Sequence, residues 1–170
     1  RVIQASPSSN ILSLARSGAT RRAWDALVAA GLDQVDDDFD VLTLKGRLLK
    51  DRARQATGAE RAALFAQAGA AYERAASLTP DSYPLINASA MALFAGDRDR
   101  SASLARQTLA LLDNGVDQGE TPYWGEATRS EVLLLLGQTE AAKSSLVKAM
   151  ALAPRAWEDP HRAEGPTRAD

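Results

Sequence analysis

Few residue types in this 170-residue chain can do chemistry, and their spacing argues against most of it. Glu126 and Glu131 are the carboxylate pair best placed for acid–base work. No nucleophile, second base or metal-ligand set gathers around them. Asp33, Asp36, Asp37, Asp38 and Asp40 form a denser acidic run. It lacks the alternating ligands and central glycine of a calcium loop. Such carboxylates equally suit the start of a helix. Cysteine is absent, which excludes a thiol nucleophile, a disulfide framework and Cys-ligated zinc. The single histidine, His161, lies in a polar tail, so no His-based triad forms within one chain. The sequence therefore calls for no catalytic residue, no metal and no cofactor.

Residues suited to binding are more plentiful. Lys45, Arg47, Lys50, Arg52 and Arg54 crowd one segment. They fit an acidic partner or a peptide carboxylate, or equally a solvated helix face whose basic last turns suit the helix dipole. Thr121-Pro122-Tyr123-Trp124 offers two aromatics that either line a peptide groove or seal one helix against its neighbours. Tyr83 and Asn87 stand four apart, on one helical face. The Asn87 amide carries both a donor and an acceptor, for a ligand backbone or for a neighbouring helix.

The elements that must position these residues are helical. Hydrophobic residues make up 45% of the chain, aromatics only 5%, and alanine roughly a fifth. That mix favours closely packed helices over a sheet and leaves the core to Leu and Ala. Ser9 or Asn10 can cap a first helix that stops at Gly18. A second runs from about Thr20 to Ala30. Asp37 or Asp38 caps a third, and the fourth covers about Ala59 to Leu78, with Pro80 just beyond. Asp81 or Ser82 opens a fifth that stops at Gly96. A sixth spans about Asp99 to Leu112. Thr121-Pro122 starts a seventh, and an eighth runs from about Thr139 to Leu152. The polar tail, 155–170, reads as disordered, and residues 1–9 as an N-terminal extension. The start at Arg1 suggests a processed form or an excised fragment.

The helices repeat in pairs. Gly137 is followed by Ala142, Leu146, Ala149 and Pro154 at offsets of 5, 9, 12 and 17. Gly18, Ala23, Leu27 and Ala30 keep the first three offsets, and so do Gly96, Ser101, Ala105 and Thr108. Ala68, Tyr72, Ala75 and Pro80 reproduce the last four marks. Small residues four and seven apart bracket a larger one on one face, so a second helix can approach the first closely. The glycine turns the chain between the two.

These marks resemble the tetratricopeptide repeat, or TPR, family and its 34-residue unit. Ser130, Leu133, Gly137, Ala142, Leu146, Ala149 and Pro154 carry the likeness, with Gly46, Leu49, Ala68, Tyr72, Ala75 and Pro80. Gly46 and Ala68 stand 22 apart where the family has 12, so the hairpin around Thr57-Gly58 is longer. Gly96 to Gly137 is 41, so the loop of 115–119 is longer too. The family's first-helix tryptophan is replaced by Leu42, Leu85 and Glu126. Asp81 to Ala88 and Glu120 to Trp124 also resemble a bacterial TPR family similar to the helical regulatory region of apoptosis signal-regulating kinases.

The resemblance implies an all-α, right-handed α-α superhelix of about four helix pairs over residues 10–154. It implies a non-catalytic scaffold for a protein or peptide partner, held on the concave face by Arg47, Lys50, Tyr83, Asn87, Trp124 and Glu131. The family's clamp for chaperone tails is not expected, because Thr43, Arg47, Ile86 and Ala90 depart from it. The alternatives are a self-assembly module, dimerising through the C-terminal helix pair with Leu146, Val147, Met150 and Trp157, or a regulatory fragment docking onto another domain. Net charge is −2, giving no pull toward nucleic acid or anionic membrane. Apolar runs such as Val132 to Leu136 fall far short of the ~20 residues of a membrane span. A cytoplasmic location is expected.

Overall fold

A computed structural model describes residues 6–115 and 121–153. Residues 154–170, with Pro154, Trp157 and His161, and residues 116–120, where the sequence predicts a loop, lie outside the described residues. Eight α-helices appear among those described: α1 Pro7–Arg16, α2 Thr20–Ala29, α3 Phe39–Gln55, α4 Gly58–Leu78, α5 Ser82–Phe94, α6 Arg98–Asn114, α7 Pro122–Leu135 and α8 Thr139–Leu152. A short 3₁₀ turn, Leu32–Gln34, joins α2 to α3.

Short polar side chains start the helices, since the first N–H groups have no partner inside the helix. Asp38 accepts from the Val41 N–H at 3.0 Å, Asp97 from Arg100 at 2.9 Å and Thr121 from Trp124 at 3.4 Å. Asp81 accepts from the Tyr83 N–H at 2.8 Å. The first helix begins earlier than its periodicity predicts. Ser6, not Ser9 or Asn10, is the cap, because Pro7 needs no N–H partner in the first turn. The longer second hairpin is also built differently from expectation. Only Ala56 and Thr57 separate α3 from α4, and the added residues lengthen the helices to 17 and 21 residues.

Consecutive helices pack as antiparallel hairpins, and the hairpins stack: α1 on α2, α3 on α4, α5 on α6, α7 on α8. The odd-numbered helices form one row, in which α1 touches α3 and α5 touches α7. The turn glycines Gly18, Gly96 and Gly137 take φ of 78°, 93° and 74°, where a Cβ would strain the backbone. Most of the predicted marks are buried. Ala23, Leu27, Ala68, Tyr72, Ala75, Ser101, Ala105, Thr108, Ala142 and Ala149 all lie in the interior. Two marks depart. Ala30 is exposed just past the end of α2, and Leu146 is 51% exposed because no described helix covers that face of α8.

Another repeated contact ties the pairs together. Ser89 Oγ donates to the Ser101 carbonyl at 2.8 Å, and Ser130 Oγ donates to the Ala142 carbonyl at 2.9 Å. Each joins the small residue of a first helix to the first small mark of the second. In the second pair Gly46 takes that place, and the Tyr72 ring packs against it. The fold is thus an all-α superhelix of stacked hairpins.

Candidate functional site

The six residues expected on the concave face all fall on the odd-numbered row: Arg47 and Lys50 on α3, Tyr83 and Asn87 on α5, Trp124 and Glu131 on α7. The geometry joins three of them closely. Lys50 Nζ donates to Asn87 Oδ1 at 3.1 Å, bridging α3 and α5. Asn87 Nδ2 donates to the Tyr83 carbonyl at 2.9 Å, one turn back on its own helix. Both ends of the Asn87 amide are therefore engaged inside the chain, and its role here is to hold Lys50.

Tyr72 of α4 forms the floor beneath them, and the sequence pattern read it only as packing. Its ring is fully buried. It meets the Tyr83 ring edge-on at 6.2 Å, and Lys50 Nζ lies 5.8 Å from its centroid, within cation–π range. Tyr83 is the side-chain neighbour that acts on the Tyr72 hydroxyl, which is buried and makes no hydrogen bond of good geometry among the described residues. Burial, reinforced by Tyr83, holds that phenol well above its ordinary range. Such a hydroxyl is a polar group taken out of water with little compensation.

The basic segment divides by face. Lys45 Nζ donates to the Asp33 carbonyl at 2.6 Å, and Arg52 stacks over Trp24 at 4.6 Å. Arg47, Lys50 and Arg54 lie on the groove stripe with a single acid, Asp51. Arg47 and Arg54 both approach Asp51, at 3.9 and 3.5 Å. Burial lowers the Lys50 pKa, and Arg54 adds to it. Glu131 stands on the opposite bank. Burial raises its carboxyl and the Lys50 charge draws it back down.

Tyr83 and Trp124 are exposed, at 44% and 52%, and Trp124 meets Tyr123 edge-on at 4.9 Å. A groove lined by Ser8, Ser9, Leu12, Asp40, Thr43, Leu44, Arg47 and Tyr83 continues past α3 toward α1. Ile86, one position of the chaperone-tail clamp, is buried and offers no polar group. Glu126 and Glu131 do not converge. Five residues apart, they point about 140° from each other around α7. Glu126 lies near Arg129, 4.0 Å away, with its other oxygen buried and unpartnered. In the acidic run, Asp38 caps α3, while the Asp33 and Asp36 carbonyls accept from Lys45 and Arg74.

Stacked hairpins, turn glycines and bracketed small residues define a helical repeat protein of the tetratricopeptide type. The particular family follows from its sequence. Residues 7–94 match the family TPR-S, Tetratricopeptide Repeats-Sensor, and the chain belongs to it. The match spans α1 through α5. A comparison with curated proteins finds no match. Repeat domains of this type generally serve protein interaction or sensing and are generally non-catalytic. Among the described residues, no helix is long and apolar enough to cross a membrane.

Proposed function

We propose that the chain is a non-catalytic recognition module that seats a peptide or protein segment along its odd-numbered row. The observation that carries this reading is the alignment of Lys50, Asn87, Tyr83, Trp124 and Glu131 on three successive first helices. They combine two exposed aromatics with charged groups of both signs, the composition of a binding surface more than of a solvated face. The family's description as a sensor supports the same reading. Random short peptides displayed on phage and selected on the intact chain provide the test. Selected peptides should lose binding to a Tyr83→Ala, Trp124→Ala double variant. Binding that survives in this variant, with its helical signal and melting temperature unchanged, would place recognition elsewhere.

A second reading rests on α8. Leu146, Val147 and Met150 are 51%, 66% and 67% exposed along one stripe. An apolar strip of this kind favours self-association through the last hairpin. Light scattering over a concentration series should then show dimers that Met150→Lys abolishes. A strict monomer at every concentration would end that reading.

A further inference from the structure

Charged side chains of both signs line one cavity without pairing. The cavity, about 330 Å³, opens at the turn end of the second hairpin, where α2 meets α3 and α4. Arg21, Trp24 and Asp25 line it from α2, Arg52 from α3, and Glu60 and Leu64 from α4. Among the described residues, neither these arginines nor these acids lie within ion-pair distance of an opposite charge. In the cavity wall, Gln55 Nε2 donates to the buried Thr20 hydroxyl at 3.3 Å and ties α3 to α2. Trp24 packs against two core clusters, which hold its ring in place. Arg52 lies over that ring at 4.6 Å. A guanidinium stacked in this way keeps its N–H edge free for a planar two-oxygen acceptor. Arg21 stands in the first turn of α2, which has no side-chain cap. A cation there opposes the helix dipole, so helix stability does not explain it.

We propose that this cavity binds a free α-amino acid with an apolar side chain. The ligand carboxylate accepts from the free edge of Arg52, and Arg21 adds its charge. The ligand ammonium donates to Asp25 and Glu60, and the side chain lies against Trp24 and Leu64. A zwitterion satisfies both signs at once. A phosphate would meet repulsion from Asp25 and Glu60, and a diamine would meet it from Arg21 and Arg52. The volume lies at the small end of the range for ligand sites, which suits one amino acid and not a peptide. The cavity shares no residue with the groove of the odd-numbered row and does not depend on it.

Calorimetric titration of the intact chain with each free L-amino acid provides the test. Leucine, phenylalanine or another apolar amino acid should bind. Its amide and its N-acetyl form should each bind roughly tenfold more weakly. Arg52→Gln should lose the preference for the acid over the amide, and Glu60→Gln the preference for the free over the acetylated amine. If Arg52→Gln melts early, Arg21→Gln makes the same comparison at an exposed position and should narrow the acid preference. Hydrogen exchange with the amino acid bound should show protection at the start of α2 and around the α3–α4 turn. Binding of no amino acid at millimolar concentration would overturn the proposal, as would equal affinity for acid and amide. Inorganic phosphate or a diamine that outbinds every amino acid would mark a site for one sign of charge and overturn the zwitterion. Protection confined to α5 and α7 would place the ligand in the groove and overturn the cavity assignment.

Discussion

At the scale of single residues, Tyr72 sets the terms. Its ring occupies space that α3 leaves open only because position 46 has no side chain. A Cβ on Gly46 would sit 2.9 Å from three carbons of that ring. The ring is wedged among α3, α4 and α5 and has nowhere to swing. Gly46→Ala should therefore cost on the order of 1–3 kcal/mol in a denaturant titration. Gly69, also inside a helix, is the control. Its Cβ would meet Met91 Cβ at 3.4 Å, an ordinary contact, and the gain in helix propensity is about 0.5–1 kcal/mol. The two substitutions should have opposite signs. The Tyr72 hydroxyl gives a second outcome. Tyr72→Phe removes a buried group that makes no hydrogen bond of good geometry, so it should leave stability unchanged or raise it by about 1 kcal/mol. A clear loss would mean that the hydroxyl is bonded. Glu131 gives a pH dependence. Burial raises its carboxyl above 4.5 in the folded state. Between 4.5 and that raised value the native state binds more protons than the unfolded chain. The contribution of this group to stability therefore falls as pH rises through that window and returns on acidification. Thermal melts should show Glu131→Gln gaining on wild type as pH climbs from 4.5. The reverse trend would mean that attraction to Lys50 outweighs desolvation.

At the scale of elements, the small residues of the second helices decide how closely each hairpin shuts. Ala75 is fully buried on α4, whereas Ala66 on the same helix is exposed. Ala75→Leu should overpack the hairpin and cost about 1–3 kcal/mol, and Ala66→Leu should cost less than about 0.5 kcal/mol. Equal shifts in a melting series would remove the repeat register. Most of this level is readable in sequence, because caps, turn glycines and small residues act locally: Asp38, Asp81 and Thr121 cap as their types require. What is not readable depends on neighbours. Leu146 carries the same mark as Tyr72, but Tyr72 is covered by α5 and α8 has no described helix over that face. The ten or so extra residues of the second hairpin lengthen helices instead of a loop, since α3 and α4 can keep burying one another along their added turns. Helical spacing puts the six proposed residues on α3, α5 and α7, where they lie. Spacing could not show that Lys45 and Arg52 are anchored elsewhere, that Asn87 is occupied by Lys50, or that Tyr72 reaches through from the second row.

At the scale of the whole molecule, the stack is one-dimensional, and each hairpin is held chiefly by its neighbours. The seam between α6 and α7 is thinner than the seams that join α3, α4, α5 and α6, while α7 and α8 pack extensively on each other. The last hairpin should therefore open as a unit. Native-state hydrogen exchange at low urea should show amides of α7 and α8 exchanging at a lower free energy than those of α4 and α5. One common free energy for all helices would contradict this and make the stack a single cooperative block. The difference bears on recognition, because Trp124 and Glu131 ride on α7 while Lys50, Tyr83 and Asn87 ride on the central block. A segment bound across both banks would tie the weak seam shut. It should raise protection in α7 and α8 by RT ln(1 + [L]/Kd), until their opening merges with global unfolding. A segment held on α3 and α5 alone would leave that hairpin's exchange unchanged. The same measurement thus reports how far along the row the partner extends.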